Sequence, residues 1–412
     1  MRNPLIYLIF ITLPCHAVAL ENWDWSGFAS VGAGKTNRDG MNFMNYDDHW
    51  SFDADSVVGL HFQGDLLPHL SFTGQLVAQG FHANDTDDYQ PEVDWLFLGY
   101  QWTPTLRMRI GRMRTPHYLY SESVNTGYSY PWARPPTNVY TFFLTPFYNF
   151  DGIDFTWNGD LGHLELDIQI FAGVMDGEYD ELDIQAEPVG GANLTLRGEQ
   201  WLLRYGLIVN DTDIHSPGWQ PYQDAFQQLA TLTGDAVFEE AAAAFEAENE
   251  PYAYHALAGQ WEQGNWTLIA EGYHISNRGD GFANTSKGWY TSFIYHIGNW
   301  SPYIATGSYD NILNEDAIAA LESSYATYPA GSLGLPAELL RTGTIEAFKS
   351  FRSKQRTWTL GTRYDVLPNT CLKAEVEYFD FQAGTTGLMI PSPGAKRPGD
   401  ALLVSFVIDV VF

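Results

Sequence analysis

Four arginines fall within eight residues: Arg107, Arg109, Arg112 and Arg114. A guanidinium stays charged at physiological pH and carries five donors in a fixed fork. A run of them either collects anions or holds carboxylates and carbonyls in place. Glu122, Arg134 and Asp154 follow along the chain, with Arg204 and Arg363 further on. Glu122 is the only acid between Arg114 and Asp151. It is expected either to face Arg134 across a narrow passage or to anchor a loop with it. Catalytic patterns are weak. His117, Ser121 and Glu122 lie close, but their spacing matches no nucleophile, base and orienter set. There is no phosphate loop, no His-Glu-x-x-His and no Gly-x-Ser-x-Gly. No cofactor and no metal is implied. Asp85-Thr86-Asp87-Asp88 and the acids from Asp176 to Asp183 match no defined metal loop and read as plain loop acids.

The elements that hold these residues follow from composition and period. The chain has 412 residues and a net charge of -29, with 45% apolar and 15% aromatic residues. That aromatic content excludes a disordered acidic chain. The acidic balance excludes nucleic acid as a partner, because no cationic surplus exists to neutralise phosphates. Arg2, the apolar run Leu5 to Pro14 and the small-x-small step Ala17-Val18-Ala19 read as an export signal over 1–19, leaving 20–412 as one mature domain. Cys15 then departs with the signal, and Cys371 alone remains, so no internal disulfide forms. Cys371 reads as an inert small residue on an inward strand face.

Sixteen segments have strand length and period: 24–34, 55–66, 69–82, 93–102, 105–112, 151–159, 162–174, 190–198, 200–209, 253–262, 265–275, 286–297, 300–308, 356–366, 370–382 and 401–412. Connections alternate, short after even-numbered segments and long after odd-numbered ones. The faces alternate too. Leu164, Leu166, Ile168 and Ile170 share one side while Glu165, Asp167 and Gln169 share the other. Leu106, Met108 and Ile110 likewise oppose Arg107 and Arg109. An apolar face with every backbone group paired in a closed sheet suits lipid, and the charged face must be wet. The fold class is therefore all-β: a transmembrane, antiparallel, up-and-down β-barrel of about sixteen strands. Trp23, Trp25, Trp95, Trp102, Trp201, Trp266, Trp300 and Trp358 near segment ends are expected to form interfacial girdles. The inward charges predict a water-filled lumen rather than a packed core.

Gly111-Arg112-Met113-Arg114-Thr115-Pro116 opens a long connection that re-enters the wall at Asp151-Gly152-Ile153-Asp154. This stretch, with the run Tyr130-Pro131-Trp132-Ala133-Arg134-Pro135-Pro136, resembles the corresponding region of Gram-negative outer-membrane porins. The motif match covers Arg109 to Asp154, and the architectural resemblance covers the mature chain. The resemblance implies that loop 113–150 folds into the barrel and narrows it. It also implies a homotrimer in the cell outer membrane, among outer-membrane lipid and lipopolysaccharide. The terminal strand, ending in Phe412 with Phe406, Ile408 and Val410 on its parity, resembles the signal read by the barrel assembly machinery. The loop's scarcity of acids departs from the family's usual acidic loop opposite a basic ladder.

Loops 210–252 and 309–355 contain helix-forming stretches at Asp235 to Glu248, Glu315 to Tyr325 and Pro336 to Phe351. From Tyr205 to Asn277 there are 11 acids and no Lys or Arg, so the external mouth favours cations while the arginines favour anions. The expected function is passive diffusion of small hydrophilic solutes and ions, without enzymatic chemistry. The pore and constriction residues are expected to be Arg107, Arg109, Arg112, Arg114, Glu122, Arg134, Asp154, Arg204 and Arg363. A channel specific for sugars or organic anions is the alternative, and an outer-membrane barrel enzyme or adhesion protein a further one. A 22-stranded transporter is excluded by strand number and by the lack of a segment for a plug.

Overall fold

The computed structural model describes residues 23–81, 89–141, 147–179, 182–245, 247–277, 283–313, 315–350, 352–392, 394–395 and 398–412. The export signal at 1–19 and the run Asp85 to Asp88 lie outside the described residues. The barrel strands are β1 Trp23–Thr36, β2 Val57–Leu67, β3 Leu70–Gln79, β4 Glu92–Thr103, β5 Leu106–Arg114, β6 Asn149–Leu161, β7 Leu164–Tyr179 and β8 Leu182–Arg197. They continue with β9 Trp201–His215, β10 Ala247–Gln263, β11 Trp266–Asn277, β12 Ala283–Tyr295, β13 Trp300–Leu313, β14 Ser353–Leu367, β15 Thr370–Phe381 and β16 Asp400–Val411. Each pairs antiparallel with its chain neighbours, and β16 closes on β1 with Val31 opposite Ile408. Phe412 finishes the seam: its backbone exchanges hydrogen bonds with Gly27 at 2.7 and 2.9 Å. No described helix is long and apolar enough to cross a membrane.

The alternation places apolar side chains outside. Ile110, Ile170, Leu203, Leu257, Ile304, Leu360, Phe406 and Ile408 are all exposed on the outer wall. Water does not tolerate so continuous an apolar belt, whereas lipid does, because the closed sheet leaves no unpaired edge. Trp25, Trp102, Trp201, Trp266, Trp300 and Trp358 are exposed with it. Trp95 departs from the girdle expectation. It shares the inward parity of the buried Phe97, while Leu96 and Leu98 take the outside, and it stacks edge-on to His61.

Two connections correct the expected alternation. β7 and β8 run on to Tyr179 and from Leu182, so the expected 175–189 loop is mostly sheet. The connection between β11 and β12 is short as well. The acids Asp176, Glu178, Asp183 and Glu187 resemble a loop in sequence, yet the hairpin keeps its alternation. Met175, Ile184, Ala186 and Val189 are buried between those polar positions.

Two groups of connections roof the external end. Met41, Phe43 and Tyr46 from the first connection and Leu388 and Met389 from the last are buried together, tied by a two-residue ribbon between Met41–Asn42 and Ile390–Pro391. The long connections after β9 and β13 carry α1 Gln220–Thr233, α2 Ala236–Ala243, α3 Glu315–Thr327 and α4 Leu335–Ser350. The stretch at α1 was not anticipated as a helix. Gly234, at φ 66°, ends α1, and the Asp235 carboxylate caps α2 by accepting from the Val237 N–H at 3.1 Å. The four helices share a core of Phe226, Leu229, Phe238, Ala241, Leu321 and Ile345, which joins two loops from separate hairpins into one helical cap.

Candidate constriction in the barrel lumen

The third external connection, described over residues 115–141 and 147–148, enters the lumen and is fastened to the wall by charged and polar side chains. Its root is held at a β-bulge. The register between β3 and β4 slips between Gln75 and Leu76, and this sets Asp94 inward. Asp94 accepts from Arg114 at 2.5 Å and from Gln75 at 2.6 Å. Opposite Phe97, Gly111 adopts φ 134°. A Cβ there would stand 2.2 Å from the Leu96 carbonyl oxygen, so only glycine fits.

Beyond the root the loop touches most of the circumference. Arg204 of β9 donates to the Pro116 carbonyl at 2.6 Å, and Tyr254 of β10 donates to the His117 carbonyl at 3.0 Å. Glu271 of β11 accepts from the Leu119 N–H and the Tyr140 hydroxyl, both at 2.8 Å. Trp132 donates to Ser292 of β12 at 2.9 Å. Asn138 donates to Thr357 of β14 at 2.6 Å. The wall glycines Gly288 and Gly307 make room for it, since a Cβ at Gly288 would stand 1.8 Å from the Asn138 carbonyl oxygen. Arg363 donates to the Tyr128 carbonyl at 2.7 Å, and Lys373 donates to the Gly127 carbonyl at 2.6 Å while pairing with Asp409 at 2.9 Å.

Arg134 is the most heavily tied side chain of the loop. It donates to Asp55, ahead of β2, at 2.9 and 2.5 Å, and to Ser405 of β16 at 2.5 Å. Its Nη1 lies 3.5 Å from Glu375 and 3.8 Å from Glu377 of β15. Its guanidinium also stands over the Tyr46 ring. His117 stacks edge-on to Tyr254 and is fully enclosed. Burial first, and then Arg204 and Arg114, push its imidazole down to about 3, so it is neutral. Tyr118, Tyr130, Trp132, Val139 and Tyr140 join Phe97, Phe150 and Phe171 of the wall in one core. At the level of the loop the lumen is therefore packed with aromatic side chains, against the expectation of a wholly wet interior. A cavity of about 130 Å³ lies between the loop, the first connection and the ends of β2 and β3.

No protein-family model matches the sequence, and no curated protein matches it. Solved structures do resemble it in fold. OmpF of Salmonella typhi, in complex with daunomycin, has TM-score 0.52 at 13% identity and covers 95% of this chain and 98% of its own. The outer-membrane channel DcaP of Acinetobacter baumannii has TM-score 0.52 at 11% identity, covering 95% and 97%. OmpT of Vibrio cholerae, in a trimer form, has TM-score 0.55 at 10% identity, covering 95% and 99%. The chain shares the sixteen-stranded barrel fold of these outer-membrane proteins.

Within that barrel the anticipated residues separate into four groups. Arg109 and Asp154 meet inside the lumen, at 2.5 Å, with Glu122 of the loop 3.1 Å from the same guanidinium. Arg114, Arg134, Arg204 and Arg363 also reach the loop, but as its fastenings to Asp94, Asp55 and backbone carbonyls rather than as a free basic ladder. Arg107 faces the lumen above Phe97 and, among the described residues, makes no ion pair. Arg112 corrects the expectation. It stands opposite the exposed Leu96, two residues beyond the exposed Ile110, and pairs with Asp151 at 2.8 Å on the outer wall. Arg134 and Glu122 do not pair with each other, because Asp55 and Arg109 take them. His117, Ser121 and Glu122 form no triad. Ser121 accepts from the Tyr118 N–H, and Glu122 is held by Arg109. Sequence reasoning missed Asp55, Asp94, Glu271, Lys373, Glu375 and Asp409. Their one signal was a charge at an inward parity of a strand or beside its end.

Proposed function

We propose that the chain is an outer-membrane porin through which small hydrophilic solutes and ions diffuse passively. The observation that carries this is a closed barrel, apolar outside and charged inside, with its own third connection folded into the lumen. Residues 1–19 export the chain and are removed, and the barrel 20–412 resides in the cell outer membrane, where the strand ending in Phe412 engages the assembly machinery. The OmpT trimer form supports a homotrimer. Arg107, Arg109 and Glu122 border the narrowest passage, while the enclosed Asp154 holds Arg109 and the enclosed Arg134 fastens the loop. Selection acts by size and by the weak field left where cations and carboxylates pair. No chemical step is involved. The contacts of the loop around the wall favour a second reading, a channel specific for one solute class. Swelling of liposomes holding the refolded protein tests the first reading. Rates that fall steadily with solute size support diffusion. Absence of swelling for every solute, with the barrel folded, contradicts it.

A further inference from the structure

Two exposed cations stand on the outer wall, two strands apart, and make no ion pair among the described residues. Lys287 of β12 shares the outward parity of the exposed Trp289 and Phe293. Arg356 of β14 shares that of the exposed Trp358 and Leu360. The carboxylates nearby do not cancel them. On β13 between them, Asp310 lies opposite both Lys287 and Lys354, and it is held by Lys354 at 2.9 Å. On β15, Asp380 lies opposite Arg356 without an ion pair and accepts from Gln382 at 3.5 Å. Lys287, Lys354 and Arg356 therefore outnumber Asp310 and Asp380, in a chain whose net charge is -29. The exposed His274 of β11, opposite Lys287, adds a further polar group to the row.

Depth in the wall says what these cations meet. Tyr295 and Tyr364 mark the periplasmic end of the same two outward faces, where they pack on Trp266 and Trp300. Eight residues separate Lys287 from Tyr295, and eight separate Arg356 from Tyr364. At about 3.3 Å per residue and a tilt of about 40°, that is roughly 20 Å of height. Trp289 and Trp358 lie two residues below the cations and mark the outer girdle. The apolar band of such a wall is about 25 Å tall, so the cations stand at its external edge, where headgroups begin. Below them, Trp289, Phe293, Ile304 and Leu360 offer a surface for acyl chains. Two strand spacings and a two-residue offset place the two Cα atoms roughly 12 Å apart, within reach of one headgroup for two long side chains. Phosphate oxygens suit both a guanidinium fork and an ammonium.

We propose that Lys287 and Arg356, with Lys354 beside them, hold the phosphorylated headgroup of an outer-leaflet lipid against the wall of β12 to β14. The proposal rests on the outer-membrane reading, of which it names a lipid partner. The refolded mature protein in detergent is titrated with diphosphoryl lipid A and with its phosphate-free form, and bound lipid is counted by native mass spectrometry. The phosphorylated form should bind at least tenfold more tightly. Lys287→Gln combined with Arg356→Gln should weaken it about thirtyfold, two cations near a charged lipid surface being lost. Arg112→Gln removes an outer-wall cation that Asp151 already pairs, and it should leave binding unchanged. The heat-dependent gel shift shows that each variant is folded. Equal binding of the two lipid forms overturns the proposal, as does an equal loss in Arg112→Gln, which would reduce the effect to net charge. Displacement by inorganic phosphate at the lipid's own concentration would make the site one for a free anion, and an oligomer that dissociates in the double variant would give the face to a second copy. Either result overturns it too. A folded barrel that enters no bilayer contradicts the outer-membrane reading instead, and the titration in detergent then still decides the site.

Discussion

At the residue scale, the lumenal cations act as fasteners. Arg134 is enclosed with Asp55, Glu375 and Glu377, so Arg134→Ala strands carboxylates that are out of reach of water. Breaking a buried pair from one side costs about 3–5 kcal/mol, and urea unfolding in detergent should register a loss of that order. His117 makes a separate pH prediction. Its folded value, about 3, lies below the ordinary 6.5, so the unfolded chain takes up the proton first. The stability it contributes is complete above about 6.5 and is lost as pH falls toward 3. Between neutral pH and about pH 4, His117→Asn should therefore lose less stability than the parent. Equal losses in the two proteins would remove His117 from the account. Arg107, the lumenal cation without an ion pair, should govern selectivity. Arg107→Gln is expected to move the reversal potential under a salt gradient toward cations, and an unchanged potential would place Arg107 outside the conducting path. The sequence offered these arginines directly, but their roles were hidden. Partners such as Asp55 and Arg134, 79 residues apart, or Leu119 and Glu271, 152 apart, meet only once the barrel closes.

At the element scale, all sixteen strands were legible, because a two-sided sheet writes its environment into every second residue. The legibility failed where both faces meet water or protein. Beyond Val174, β7 leaves the lipid, its outer positions become Asp176 and Glu178, and the outward apolar signal stops although the strand does not. Buried connections failed for the opposite reason. Met41, Phe43 and Tyr46 carry a core pattern too short to stand out between Asn and Asp residues. The helical stretches at α2, α3 and α4 announced themselves by composition, but their shared core did not, since it joins residues from two hairpins. That core gives a prediction of its own. Ala241 is buried among Phe226, Phe238 and Leu321, and a charge there has no partner. Ala241→Asp should separate the two helical loops and speed proteolysis within 216–246 and 314–352. The heat-dependent gel shift of the barrel should stay unchanged. Loss of that shift would mean that the cap and wall fold as one unit.

At the scale of the whole molecule, the charge distribution carries the account. The chain bears a net -29, yet the cations and carboxylates around the loop nearly balance, each held by a neighbour. Acidity is left to the external loops and the vestibules, where it attracts cations to the mouth without setting a strong field at the narrow point. The fold was readable from the sequence as a whole, through strand count, outward belt and terminal strand. The filling of the lumen was not, because inward charge looks the same in sequence whether it meets water or a loop. The most direct test is single-channel conductance of the refolded mature protein in a planar bilayer, with the reversal potential under a salt gradient. Discrete steps with a small potential of cationic sign are the predicted result. A demonstrably folded barrel that carries no current would contradict the account, and would make the third loop a plug rather than a constriction.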